Sequence, residues 1–119
     1  LAADGFELAL HSHRHENYAG LTTAQVTADV REGFSTMRRL GLTTVPALAY
    51  PYGGRSRDTA ARAAMHAALR ECGVRLAFRV GNRVNRLPLA DPLEIQRLSV
   101  RGDETFGAFR RKIAWGRLL

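Results

Sequence analysis

The sequence predicts an α/β domain in which mostly parallel strands alternate with helices. Short segments with an apolar period of two alternate with longer ones whose apolar residues recur at spacings of three and four. The helix-like stripes stop at glycines, Gly41 and Gly73, as helices commonly do. The resulting order, strand–helix–strand–helix–strand, favours right-handed crossovers and a parallel sheet. With 119 residues the chain is too short for an eight-unit barrel, which needs roughly 200 or more. Its opening, Leu1-Ala2-Ala3-Asp4-Gly5, reads as the last turn of a helix closed by glycine. The expectation is therefore one partial domain over residues 1–119, the C-terminal part of a larger α/β unit.

Phe6, Leu8 and Leu10 alternate with Glu7, Ala9 and His11, which predicts a first strand. Thr22 and Gln25 fit a capping box. Val26, Val30, Phe34, Met37 and Leu40 then form one apolar helical stripe. The run Val45 to Tyr50 predicts a buried strand, and Pro51 to Ser56 a loop. Ala61, Ala64, Met65, Ala68, Leu69 and Cys72 make a second helical stripe. Val74, Leu76, Phe78 and Val80 alternate with Arg75, Ala77 and Arg79, which predicts a strand; Asn82 to Asp91 reads as irregular. Ile95 to Val100 predicts a last strand, although Arg97 breaks its alternation. Asp103 is the expected N-cap of a final helix carrying Phe106, Phe109 and Ile113.

Composition is that of a globular protein, with 45% hydrophobic and 24% charged residues, which argues against disorder. No apolar run approaches the roughly 20 residues of a membrane span, and no signal peptide is legible. A single cysteine, Cys72, excludes an internal disulfide framework and a cysteine-built zinc cage, and leaves the compartment open. It is read as an inert thiol on the apolar stripe. The net charge is +7, and all but one of the 18 basic residues are arginine. These arginines are scattered rather than gathered in one stripe, with no interleaved aromatics to stack bases, so no nucleic-acid partner is expected. A basic nucleic-acid-binding domain stays as a rival reading on charge alone.

The sharpest chemical feature is His11-Ser12-His13-Arg14-His15, three of the four histidines within five residues. Neutral imidazole is the commonest metal ligand. In extended chain His11 and His15 would lie about 13 Å apart and share no ion. A curl after the strand would bring them together; alternatively, His11 and His13 share a strand face. The bland reading is a polar loop without metal, but a position at a strand's C-terminal end favours a site. The second feature is Tyr50-Pro51-Tyr52-Gly53-Gly54. Proline stiffens such a turn and glycine permits positive φ. It reads as an ordinary loop, as a wall with backbone N–H groups aimed at an oxyanion, or as a phosphate cradle at a helix start. His66, between Arg62 and Arg70 at four-residue spacing, is expected on the surface, and Arg110, Arg111 and Lys112 on a solvated helix face. Trp115 is expected in the core or against further sequence.

Together these features resemble the polysaccharide deacetylase family (carbohydrate esterase family 4, the NodB-homology domain). His11-Ser12-x-x-His15 looks like the family's H[ST]xxH metal motif, and Tyr50-Pro51-Tyr52-Gly53 is similar to its R-x-P-Y-G motif. The stretch GFELALHSH around the first motif and the helical stripe of Val26, Val30 and Phe34 after it strengthen the resemblance, and downstream Val74 to Phe78, the Asn85 to Pro92 loop, Gln96 to Val100 and the Phe109 helix look like the tail of exopolysaccharide-type members. The resemblance implies part of a distorted (β/α) barrel, a divalent metal (usually zinc) and an N- or O-acetylated polysaccharide or oligosaccharide substrate. By it, His11 and His15 are metal ligands, the Tyr52 backbone N–H holds the oxyanion, and Tyr50, Pro51 and Gly53 shape the acetyl pocket. Water on the metal would attack the acetyl carbonyl while the metal polarises it.

The chain departs from the family pattern in three places. No Asp-Asp pair occurs; the aspartates are Asp4, Asp29, Asp58, Asp91 and Asp103. The family's TFDD motif, which supplies the base and the third ligand, is expected before position 1. Ala49 stands where the motif arginine belongs, and no histidine follows His66. The resemblance thus implies a chain carrying half of a deacetylase site. A non-catalytic carbohydrate-binding or assembly module is the main rival.

Overall fold

In a computed structural model the structure describes residues 2–116. A single turn at Ala2–Asp4 ends at Gly5, whose φ is +84°; Leu1 lies outside the described residues. Three helices and three strands follow: α1 (Thr23–Arg39), β1 (Ala47–Ala49), α2 (Thr59–Glu71), β2 (Leu76–Val80), β3 (Ile95–Arg97) and α3 (Phe106–Trp115). The strands form one parallel sheet in chain order, β1–β2–β3.

The expected first strand shrinks to a single bridge. Leu10 pairs in parallel with Leu48, and Val45 N–H donates to the Leu8 carbonyl at 2.8 Å. Phe6 stands 62% exposed. The segment thus lies along the free edge of β1, and every strand end points the same way.

Register sorts the side chains by face. Leu10, Leu48 and Ala77 share one row, all buried, on the face covered by α1 and α2. Val26 and Val30 of α1 and Met65 and Leu69 of α2 complete that core. The expected phase of β2 needs correction here. Its fully buried residue is the small Ala77, while Leu76 and Val80 are 39% and 40% exposed on the opposite face. Parallel strands often carry apolar residues on both faces, so alternation in the sequence did not say which face the helices cover.

The α1 capping box forms as expected: Gln25 N–H donates to Thr22 Oγ1, and Thr22 N–H to the Gln25 side chain. Other boundaries shift. Thr105, not Asp103, caps α3, accepting from Ala108 N–H, and Asp103 pairs with Arg101 instead. β3 stops at Arg97 because the Asn82 side chain takes Ser99 N–H at 2.7 Å. In α2, Ala61 and Ala64 face solvent. Lys112 is half-buried rather than solvated, bound to Glu104 and the Ser99 carbonyl.

His66 overturns its surface reading: it is 5% exposed. Its Nδ1 lies 3.1 Å from Asp91 and its Nε2 3.4 Å from Glu94. The flanking arginines do not solvate it. Arg62 turns back to the carbonyls of Ser56 and Arg57, and Arg70 reaches Asp91. Glu94 also receives Arg55 Nε at 2.9 Å and Arg79 at 3.3 Å. Burial pushes the Glu94 carboxyl up, but these cations hold it below its usual range. One carboxylate thus joins the loop before α2, α2 itself, β2 and the approach to β3.

Candidate functional site

The predicted site residues lie at the C-terminal ends of the strands, where α/β proteins gather chemistry. Past Leu10 the chain does curl. Ser12 and His15 take left-handed φ values of 63° and 58°, and Ser12 Oγ accepts His15 N–H at 2.7 Å. This tight turn brings His11 Nε2 and His15 Nε2 to 3.1 Å, with ring centroids 4.8 Å apart. His11 Nδ1 faces the Ala49 carbonyl at 2.7 Å. A carbonyl only accepts, so Nδ1 carries the proton and the Nε2 lone pair points at His15.

The second motif closes over the first. Tyr52 sits at φ 55°, ψ 9°, with its ring edge-on to His15 at 4.9 Å. The turn is held by Gly53 N–H to Tyr50 and Gly54 N–H to Pro51, not by Tyr52 N–H. Gly53 has φ +66°, and a Cβ there would meet Val80 N at 2.7 Å. Gly54 leaves room for the Asn17 side chain, so the two loops interlock. Tyr50 and Pro51 are buried beneath the rim; the Tyr50 hydroxyl donates to the Leu93 carbonyl at 3.0 Å. Ser12, His15 and Tyr52 are three of the four non-glycine residues with positive φ among the described residues. Such strain costs about 1–3 kcal/mol per residue and persists where the surroundings enforce it, typically at functional sites.

One residue that enforces it was missed in the sequence. Asp29, 7% exposed on α1, accepts Tyr18 Oη at 2.6 Å, His13 N–H at 3.0 Å and Arg14 N–H at 2.9 Å. Burial pushes this carboxyl up, but the donations from Tyr18, His13 and Arg14 outweigh it and leave it below its usual range. Burial and the neighbouring carboxylate push the Tyr18 hydroxyl well above its usual value, so it stays a donor. The signal was legible: Asp29 shares a helical face with Val26, Val30 and Gly33, all buried, and an acid there needs partners.

His13 is not brought to the pair; its side chain is exposed and lines a small pocket with Arg14, Asp29 and Glu32. The phosphate-cradle reading fails, because Arg55 is bound to Glu94 and Asp58 already caps α2. Among the described residues, no group of three or more His, Cys, Asp or Glu side chains could hold a metal ion.

A two-imidazole site still suits zinc. Tetrahedral zinc–nitrogen bonds of about 2.0–2.1 Å set neighbouring nitrogens roughly 3.3 Å apart, close to the 3.1 Å observed. The tautomer fixed by Ala49 is also the one a ligand needs.

The family model for polysaccharide deacetylases matches residues 1–77, both motifs included. The chain belongs to the polysaccharide deacetylase family. No curated protein matches its sequence at a significant level. Among solved structures it is similar to the Streptococcus pyogenes deacetylase PplD in complex with acetate. The TM-score is 0.68 at 12% identity, over 87% of this chain and 42% of that one. The α/β fold expected from the sequence is thus part of a deacetylase fold, and the chain spans less than half of that relative. No helix among the described residues is long and apolar enough to cross a membrane.

Proposed function

We propose that this deacetylase-family domain is the metal- and oxyanion-binding half of a hydrolase that removes acetyl groups from N-acetylated or O-acetylated polysaccharide. The observation that carries the proposal is the pair of imidazole nitrogens 3.1 Å apart beside a strained Tyr52. His11 and His15 would hold a divalent cation, zinc by the donor chemistry. Bound there, such a cation supplies a Lewis acid and a source of hydroxide at neutral pH.

The remaining roles fall to the chain's own groups. The Ala49 carbonyl keeps the His11 proton on Nδ1, and Ser12 keeps the second imidazole turned inward. The Tyr52 N–H, outside the turn's own hydrogen bonds, donates to the oxygen on which charge develops when the acetyl carbonyl is attacked. Pro51 and Gly53 fix that N–H, and Tyr50 anchors the rim through Leu93. A third ligand and a base are still needed. By the family resemblance both roles belong to its paired-aspartate motif, and no Asp-Asp pair occurs in this sequence.

Acetate release from an N-acetylglucosamine oligomer by the full-length protein tests this. Zinc-dependent release is expected, lost in His11→Ala and His15→Ala. Unchanged release in those variants, or none from a folded, zinc-loaded protein, would refute it.

A further inference from the structure

Beyond the imidazole pair, the loop that follows β2 carries a second feature. Residues Arg83, Val84 and Arg86, from the loop after β2, line an open cleft of about 590 Å³ with Ala114 and Trp115 at the end of α3. The helix end is seated tightly on that loop. A Cβ on Gly116 would lie 3.0 Å from Val84 N and 3.2 Å from Arg83 Cα. Asn82 fixes the loop's start, donating its N–H to the Arg97 carbonyl and accepting Ser99 N–H. Trp115 nevertheless stands 73% exposed, an indole face open to solvent in a built concavity. Arg83 and Arg86 are exposed, and no carboxylate pairs with either among the described residues. Arg39, Arg55, Arg70, Arg79 and Arg101 each have an acid partner; others such as Arg31, Arg75 and Arg110 show none among the described residues, and what distinguishes Arg83 and Arg86 is the cleft they share with Trp115.

We propose that this cleft is a distal saccharide subsite, specific for a polysaccharide that carries carboxylates along its length. It deepens the proposed function and rests on that reading. The indole gives a flat, rigid platform for the apolar face of a pyranose ring. The two guanidinium groups give planar donors matched to carboxylate. Continuity with the acetyl site favours a glycan. The Tyr52–Gly53 turn packs on Val80, and Val80 leads through Gly81 and Asn82 into the cleft's loop. A polymer lying across the strand ends therefore meets both features. A single-stranded nucleic acid or an anionic bilayer shares part of this chemistry, but neither follows from the acetyl site.

The chain contains one tryptophan, Trp115, so its fluorescence reports on the cleft directly. The probe is a hyaluronan hexasaccharide, alternating N-acetylglucosamine and glucuronate. The comparisons are a neutral N-acetylglucosamine hexamer, a single-stranded DNA oligomer and vesicles containing phosphatidylserine. A saturable emission change with the anionic saccharide is expected, weakening with salt. Arg83→Ala/Arg86→Ala should weaken it roughly tenfold, from two partly solvated ion pairs. The charge reversal Arg83→Glu/Arg86→Glu should weaken it further at an unchanged thermal midpoint. Equal affinity for the neutral hexamer, tighter binding to DNA or vesicles, or no emission change would overturn the proposal. The titration is run without added metal and repeated on His11→Ala/His15→Ala, where binding should persist. Loss of acetate release and loss of saccharide binding are thereby separate results.

Discussion

Replacing Asp29 by Asn tests whether one helix residue holds the histidine loop in its strained shape. The carboxylate accepts three hydrogen bonds, from Tyr18 and from the N–H groups of His13 and Arg14. An amide can put its oxygen at one of the two oxygen positions. If it keeps Tyr18 and His13, its NH2 faces the Arg14 N–H, and that part-buried donor is left unmatched. An unsatisfied buried donor costs about 1–3 kcal/mol. The two retained bonds lose their charge, which roughly halves them. The expected loss is about 2–3 kcal/mol by urea denaturation, and about 4 kcal/mol for Asp29→Ala, which leaves all three donors unpaired. Zinc affinity, read by chelator competition, should fall about tenfold in Asp29→Asn, as when an outer support of a ligand is removed. Glu32→Gln, on the exposed side of the same helix, is the control and should stay within about 0.5 kcal/mol. An Asp29→Asn variant as stable as that control, with zinc affinity unchanged, would refute the assignment.

Two further outcomes follow from the same geometry. Gly53→Ala should cost about 2–4 kcal/mol, because a side chain at φ +66° is strained and its Cβ would press on Val80 N at 2.7 Å; differential scanning fluorimetry would show the lowered midpoint, and an unchanged one would contradict the packing. Acid should destabilise the fold through Asp29 and Glu94, whose carboxyls are held below their usual range. A depressed native pKa gives stability that is complete above the unfolded value, near 4, and is lost as pH falls through the native one. Denaturation midpoints should therefore decline below about pH 4.5, and Glu94→Gln should flatten that decline.

The sequence yielded most where a local pattern implies a local geometry. The Thr22–Gln25 box, the Val26–Val30 stripe and the paired motifs at His11 and Tyr50 each encode their surroundings within a few residues. It yielded least where a distant segment decides the environment. His66 looks solvated between Arg62 and Arg70 until the Asp91–Glu94 loop folds over it from 25 residues away. The face of β2 was misjudged because covering helices, not alternation, select Ala77 over Leu76. Asp29 lay between these cases: its placement on a buried stripe was visible, but its partners were not.

The carboxylate of Glu94 gathers Arg55, His66 and Arg79 from successive stretches of chain. It works as a rivet joining the loop before α2, α2 and β2. A sheet fastened in this way resists shear between its strands, so any give at the candidate site falls to the loops along the strand tips. Loosening the rivet should therefore blur the alignment of the Tyr52 loop, which it holds through Arg55, and with it the contact of that loop with His15.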